Sequence, residues 1–164
     1  MKEKSIELLN KAVADELTAV HQYMYFHFHC DDQGYDLLAN LFRKTAIEEM
    51  MHIERLAERI LFLGGDVDMK VSKDDVEKIH DVREMLDLAI KMEESSADDY
   101  NKWANECSQN NDSASKKLFE SLVDDEERHF DQYDDEIANL KKFGDNYLAL
   151  QSIERSKNIG GGGE

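Results

Sequence analysis

Apolar residues recur along the chain at intervals of three, four, seven and eleven positions, a pattern that places them on one face of an α-helix. The pattern predicts four long helices, near 3–32, 35–63, 80–109 and 113–143, and a short fifth helix near 145–154. Between them lie short segments that mix glycine with asparagine and aspartate, residues that end one helix and cap the next. The chain contains no proline, so each helix can run without interruption.

The lengths of the connections indicate how the helices are arranged. Those after the first and third helices are short, which predicts two antiparallel hairpins. The polar segment from Gly64 to about Ile79 is longer, and fully extended it spans roughly 50 Å. A long helix of this bundle measures only about 42 Å. The segment therefore permits a crossover along the whole bundle, with the second and third helices parallel.

The predicted fold is all-α: one antiparallel four-helix bundle with a long crossover between the second and third helices and a short fifth helix at the C-terminal end. The domain is expected over 1–154, and the glycine-rich segment 155–164 is expected to form a flexible tail. In this arrangement Cys30 and Cys107 lie at opposite ends of the bundle, so we expect no disulfide between them.

In the middle of each long apolar stripe, one glutamate takes the place of an apolar residue. These residues are Glu16, Glu49, Glu93 and Glu126, and the members of each hairpin's pair are 33 positions apart. Each glutamate lies about 13 to 16 residues from the turn of its hairpin. The antiparallel hairpins therefore bring all four carboxylates to the same depth, in the middle of the bundle.

Two of these glutamates begin the same short motif, Glu-x-x-His, as Glu49 with His52 and Glu126 with His129. Residues three apart share one helix face, so each motif directs a carboxylate and an imidazole to one point. One copy alone is typical of a hydrogen-bonded pair in a core. Two copies together with two further buried glutamates predict a two-metal site, because two divalent cations would neutralise four carboxylates that are otherwise costly to bury. Carboxylate and imidazole donors suit iron better than magnesium.

The overall charge narrows the classes of partner. With 37 acidic and 20 basic residues, the net charge is −17, which argues against binding to nucleic acid. No apolar run is long enough to span a membrane, and no signal segment follows the N-terminus, so we expect a cytoplasmic protein. Acidic pairs such as Asp124-Asp125 are interpreted as solvated faces.

The four glutamates and two histidines resemble the ligand set of the ferritin-like di-iron carboxylate superfamily. Within it the chain is most similar to the bacterioferritins, whose fourth helix carries Glu-x-x-His, and the resemblance extends from Leu8 to Gln151. It implies that Glu16 and Glu93 are terminal ligands, that Glu49 and Glu126 bridge two irons, and that His52 and His129 each bind one.

The resemblance also implies a function, iron storage and detoxification. A ferroxidase would oxidise Fe(II) with oxygen or peroxide and deposit Fe(III) as mineral inside a hollow homo-oligomeric shell, of twenty-four subunits in the bacterioferritins. An electron-donor protein could serve as a further partner in releasing the iron. Tyr23 and Tyr100 each follow a glutamate by two helical turns, and either can hydrogen-bond a ligand or pass electrons, with Tyr23 the stronger candidate.

Met50 occupies the position from which bacterioferritins bind haem b, one methionine from each of two subunits. Apolar stripes on the first and second helices support a dimer face there; they comprise Leu17, His21, Met24 and Phe28, and Ile47, Met50, Met51 and Leu61. An ordinary methionine-rich dimer contact is the alternative to haem.

Three other functions fit parts of the pattern. A Dps-like shell of twelve subunits would use iron to remove peroxide, and a rubrerythrin-like peroxidase would use similar ligands but normally carries an additional cysteine-based domain. A metal-free structural bundle is disfavoured by the buried glutamates.

Overall fold

A computed structural model describes residues 2–160. Its helices are α1 (Glu3–Asp32), α2 (Asp36–Phe62), α3 (Val82–Gln109), α4 (Ser113–Phe143) and α5 (Asp145–Gly160). Within the described residues the chain is all-α, as predicted, and the four long helices begin and end within two residues of their expected limits.

The fifth helix is longer than predicted. It continues past 154 to Gly160, so the first part of the expected flexible tail is helical. Arg155 in this part donates a hydrogen bond to the carbonyl oxygen of Asp31 and lies 3.5 Å from Asp36, which holds the helix against the rest of the bundle. Residues 161–164, the remainder of the expected tail, lie outside the described residues, as does Met1. The division into a domain and a tail stays a prediction.

Two glycines end helices in the left-handed region of the backbone. Gly34 follows α1 with a φ of 85°, and Gly64 follows α2 with a φ of 82°. A residue with a Cβ atom adopts such angles at a cost, so glycine is the residue that ends a helix there. At the opposite ends, Asp81 and Asp112 cap α3 and α4 by accepting hydrogen bonds from the backbone N–H groups of Glu84 and Ser115.

The core consists of two hydrophobic clusters, one on either side of the bundle's middle. One joins the first half of α1 to the second half of α2, the second half of α3 and the first half of α4. The other joins the remaining halves. This distribution makes α2 and α3 parallel, as the long crossover predicted. Cys30 and Cys107 are buried in different clusters, in agreement with their predicted separation.

The crossover lies along α1 and is held by two side-chain amides. Asn10 donates to the carbonyl oxygen of Asp66 (3.0 Å) and accepts from the N–H of Asp68 (2.8 Å). Gln22, which is buried, donates to the carbonyl oxygen of Glu77 (3.1 Å) and accepts from its N–H (2.7 Å). Each amide thus replaces the neighbouring strand that an extended segment would otherwise need for its backbone groups.

Each long helix has a buried and an exposed face, in keeping with its sequence pattern. None of the helices within residues 2–160 is both long and apolar enough to span a membrane.

Candidate metal centre

The six predicted ligands lie together in a buried layer between the two hydrophobic clusters. None of these residues is more than 2% exposed in the fold; they are Glu16, Glu49, His52, Glu93, Glu126 and His129. The layer exists because each helix carries its glutamate at the depth where the two core clusters meet. A group of charged residues thus occupies a position where apolar packing would be expected.

The ligand atoms form two overlapping groups of four residues. The His52 subsite comprises Glu16, Glu49, His52 and Glu126, and the His129 subsite comprises Glu49, Glu93, Glu126 and His129; within each group the ligand atoms lie within 4.8 Å of one another. Glu49 and Glu126 belong to both groups, and Glu16 and Glu93 to one each. This is the sharing expected for two bridging and two terminal carboxylates, although the individual roles stay predictions.

Both histidines point the same ring atom into the site. Nδ1 of His52 lies 3.4, 3.3 and 3.2 Å from carboxylate oxygens of Glu16, Glu49 and Glu126. Nδ1 of His129 lies 2.8 Å from Glu49 and 3.5 Å from Glu93. The two Nδ1 atoms therefore stand among the carboxylates of their own subsites.

Many of these buried atoms have no hydrogen-bond partner among the described residues. They are Oε2 of Glu16, both carboxylate oxygens of Glu49, Oε2 of Glu93, Oε1 of Glu126 and Nδ1 of His129. A buried polar atom without a partner is costly, and native proteins leave few of them. Unpartnered oxygen and nitrogen atoms that converge are the donor set of a metal site, so the residues present fit a pair of cations.

Protons moderate the charge when no cation is bound. Burial, together with the neighbouring charges of Glu16 and Glu93, raises the pKa values of Glu49 and Glu126 well above the usual range. Burial alone would lower the pKa values of the histidines, but the surrounding carboxylates outweigh it. They raise the pKa of His129 to about 9 and that of His52 further still. The metal-free site therefore holds protons where cations would bind.

The outer nitrogen of each histidine bonds a carboxylate from the opposite hairpin. Nε2 of His52 lies 2.9 Å from Oδ2 of Asp125, and Nε2 of His129 makes a short contact with Oε2 of Glu48. Since an ionised carboxylate only accepts hydrogen bonds, both Nε2 atoms carry protons, and Nδ1 is the nitrogen that a metal would bind once it has displaced the proton there. Arg128 lies beside both carboxylates, 2.8 Å from Glu48 and 3.4 Å from Asp125.

Neither carboxylate was among the predicted site residues, and the interpretation of Asp125 as part of a solvated face is wrong. Its side chain is 32% exposed and lies against His52, because α2 and α4 pack closely at this depth. One sequence signal was present: an acidic residue comes directly before the glutamate in both motifs, Glu48 before Glu49 and Asp125 before Glu126.

Two buried phenols contact the terminal glutamates. Tyr23 donates a hydrogen bond to Oε1 of Glu93 at 2.6 Å, and Tyr100 donates one to Oε1 of Glu16. Burial and the nearby carboxylates raise the pKa of each phenol well above its usual value, so both remain protonated donors. The prediction that these tyrosines can hydrogen-bond ligands agrees with this geometry.

The chain is similar to known proteins over most of its length. A family model described as a ferritin-like domain matches residues 6–143. The chain is 37% identical to the bacterioferritin of Desulfovibrio desulfuricans over 149 residues, which cover 90% of this chain and 82% of that protein. It is 35% identical to the bacterioferritin of Rhodobacter capsulatus, with 90% and 91% covered. This chain belongs to the bacterioferritin family.

A solved structure of a family member has the same fold. The X-ray structure of the Desulfovibrio desulfuricans bacterioferritin, which describes its di-iron site in different catalytic states, superposes on this chain with a TM-score of 0.89. The match covers 92% of this chain and 88% of that one, at 35% sequence identity. The predicted family and the predicted bundle with its short C-terminal helix are therefore confirmed.

Met50, the predicted haem ligand, lies on α2 beside a surface pocket that α2 shares with α1. Met50 is 50% exposed and lines a pocket of about 290 Å³ whose wall is almost wholly apolar. The pocket also includes Met24 and Ile47 from the predicted dimer face. His21, predicted to belong to that face, instead lines a different pocket beneath the crossover, because it projects toward the side of α1 that the crossover covers.

Proposed function

We propose that this protein is a ferroxidase that stores and detoxifies iron, oxidising Fe(II) with oxygen or peroxide. Fe(III) would be deposited as mineral inside a hollow cytoplasmic shell of twenty-four copies of the chain. The observation that carries the proposal is the pair of overlapping ligand groups, which share Glu49 and Glu126 and leave converging atoms unpartnered.

Each ligand has a separate task in this proposal. Glu16 and Glu93 would each hold one iron as terminal ligands, and Glu49 and Glu126 would be the ligands shared by both irons. His52 and His129 bind through Nδ1, since their Nε2 atoms are occupied by Asp125 and Glu48. Iron entering the site displaces the protons held by Glu49, Glu126 and the histidines, which makes binding depend on pH.

Two Fe(II) ions held there would each give one electron to the oxidant, which would take up two protons, so that oxygen would become hydrogen peroxide and hydrogen peroxide would become water. The protein's own contribution is to hold the ions close together and to exclude water. Tyr23, the predicted catalytic tyrosine, bonds Glu93 and would therefore act on the pair through that ligand, by fixing its carboxylate and by passing electrons. The net charge of −17 favours the approach of cations.

Anaerobic titration with Fe(II), followed by exposure to oxygen, tests the proposal. Binding is expected to saturate at two ions per chain, one for each ligand group, before mineral forms. Oxygen should then produce Fe(III) rapidly in the wild type and slowly in Glu126→Ala. A protein that binds no Fe(II) at these ligands, or in which Glu126→Ala leaves the rate unchanged, would contradict the proposal.

Light scattering of the same preparation tests the shell. A mass near twenty-four chains is expected, whereas twelve chains would favour a Dps-like shell. A rubrerythrin-like peroxidase would instead turn over with peroxide without accumulating mineral. Loss of stored iron on adding a reduced electron-donor protein would test the predicted route of release.

Haem b is a second candidate cofactor, supported by the apolar pocket beside Met50. Two subunits would each supply one Met50 to the iron of a shared haem. Protein purified after growth with haem available should show a bis-methionine haem spectrum that Met50→Leu removes. Met51→Leu is the matched control, because the neighbouring Met51 is 47% exposed but does not line the pocket. Colourless wild-type protein would leave the methionine-rich dimer contact as the role of this surface.

A further inference from the structure

The two terminal glutamates are held in the same way. Oε1 of Glu16 accepts a hydrogen bond from the hydroxyl of Tyr100, and Oε1 of Glu93 accepts one from Tyr23. In both carboxylates the second oxygen, Oε2, is buried and has no hydrogen-bond partner among the described residues. Each glutamate therefore has one oxygen fixed by a phenol and one available to a cation.

The two phenols reach their glutamates crosswise. Tyr23 lies seven residues after Glu16 on α1 but bonds Glu93 on α3, and Tyr100 lies seven residues after Glu93 but bonds Glu16. Since the two helices are antiparallel, the two phenols lie in opposite hydrophobic clusters, one on each side of the ligand layer. Each terminal glutamate is thus held from a different end of the bundle.

A fixed carboxylate binds a cation better than a mobile one, because less side-chain freedom is lost on binding. We propose that Tyr100 is the positioning residue of the His52 subsite, as Tyr23 is of the His129 subsite, so that the two phenols set the cation affinities of the two subsites separately. This inference rests on the two-metal function proposed above. It goes beyond that proposal by assigning each subsite its own supporting residue.

Tyr133 provides a matched control, since it lies in the same hydrophobic cluster as Tyr23. It follows Glu126 by seven residues, as the other two tyrosines follow their glutamates, and it is fully buried, with its ring 5.7 Å from that of Tyr23. Its hydroxyl has no hydrogen-bond partner among the described residues. Removing this hydroxyl should therefore leave both terminal glutamates undisturbed.

Cobalt binding in crystals resolves the two subsites individually. Metal-free crystals of the wild type, Tyr100→Phe, Tyr23→Phe and Tyr133→Phe are equilibrated with graded concentrations of Co²⁺, and the occupancy of each position is measured from anomalous differences. Co²⁺ takes imidazole and carboxylate ligands as Fe(II) does, but it is not oxidised by air under these conditions. Occupancy therefore reports binding without any contribution from turnover.

Tyr100→Phe should raise the Co²⁺ concentration that half-fills the His52 subsite about 10- to 100-fold, which is the usual effect of removing a residue that hydrogen-bonds a metal ligand. The half-filling concentration of the His129 subsite should change much less. Tyr23→Phe should do the reverse, and Tyr133→Phe should change neither. Because phenylalanine preserves the ring, the folds are expected to persist. If one of the variants Tyr100→Phe and Tyr23→Phe fails to fold, the other still shows whether its tyrosine affects the cation affinity of one subsite alone.

Two results would overturn the inference while the proposed function stands: equal weakening of both subsites by Tyr100→Phe, or wild-type affinity at the His52 subsite in that variant. An effect of Tyr133→Phe as large as that of Tyr100→Phe would also overturn it, since general loosening of the core would then be the cause. A wild-type protein that binds Co²⁺ at neither subsite would overturn both this inference and the two-metal function.

Discussion

Asp125 accepts a hydrogen bond from Nε2 of His52 across the interface between α4 and α2, at a distance of 2.9 Å. Glu48 does the same for His129 in the opposite direction. Each Glu-x-x-His motif is therefore completed by the acidic residue that precedes the other motif. The consequence is that the orientation of each imidazole depends on the packing of two helices, not on its own helix alone.

Replacing Asp125 by asparagine should weaken cation binding at the His52 subsite about 10- to 100-fold, because the ring loses the acceptor that orients it and raises its basicity. Isothermal titration with Zn²⁺ measures the change. Asp124→Asn is the control, since Asp124 carries the same charge and is exposed. If Asp124→Asn weakened binding as much as Asp125→Asn, the loss of one negative charge, and not the loss of the hydrogen bond, would determine the affinity.

The stability of the metal-free protein should fall as the pH rises from about 6.5 to about 9. The folded-state pKa of His129, about 9, exceeds the unfolded value of 6.5, so its contribution is fully present below 6.5 and is lost as the pH passes through 9. The raised pKa values of Glu49 and Glu126 act in the same direction, since folding takes up their protons. Thermal unfolding after treatment with a chelator measures the trend.

Loading with Zn²⁺ should flatten this pH dependence, because the cation replaces the protons. The same loading should release protons near neutral pH, which titration calorimetry in buffers of different ionisation enthalpy detects. A metal-free protein that becomes more stable as the pH rises from about 6.5 to about 9 would contradict the assigned protonation of the site.

Glu126→Gln should leave the metal-free protein about as stable as the wild type near neutral pH, since glutamine has the size of glutamate and burial together with the neighbouring carboxylates raises the pKa of Glu126 and disfavours its charged form. Rapid Fe(II) oxidation should nevertheless fall by at least about 100-fold, a larger loss than that expected for a supporting residue. Stopped-flow absorbance measures the rate, and the exposed neighbour Glu127→Gln serves as the control. Loss of both stability and oxidation would indicate a structural role.

Gln22→Leu should loosen the crossover without unfolding the bundle. Leucine cannot replace the two hydrogen bonds that Gln22 makes to the backbone of Glu77, so that N–H should exchange with solvent faster. Hydrogen exchange followed by mass spectrometry measures the effect. The amide of Asp68, held independently by Asn10, should keep its wild-type protection; faster exchange at both sites would mean that the crossover detaches as a unit.

The helices and their order could be predicted from the sequence because the relevant signals are local. Glycines such as Gly34 and Gly64 stand where the backbone adopts positive φ angles, and the apolar period is unbroken between them. The common depth of Glu16 and Glu49 in the bundle could be predicted by counting residues from each glutamate to the turn between the helices. A helix has a constant rise per residue, and the two helices of a hairpin run in opposite directions, so similar counts give similar depths. The end of α5 was missed because its last residues are polar and lack a clear apolar face.

The partners of the ligands could not be predicted in the same way. Whether Asp125 faces water or His52 depends on how α4 is rotated about its axis relative to α2. The sequence pattern shows which face of α4 is buried but does not fix this rotation. The same applies to Tyr100: its offset from Glu93 was visible, but the acceptor of its hydrogen bond lies on α1. Long-range contacts of this kind follow from the packing of side chains, not from helical periodicity.

The sharing of Glu49 and Glu126 means that neither hairpin contains a complete ligand group. The first hairpin holds three members of the His52 subsite and lacks Glu126, and the second holds three members of the His129 subsite and lacks Glu49. A chain that is still being synthesised, with only its first hairpin present, therefore cannot capture a pair of ferrous ions. A pair of cations can be bound here only once the whole bundle has closed around both ligand groups.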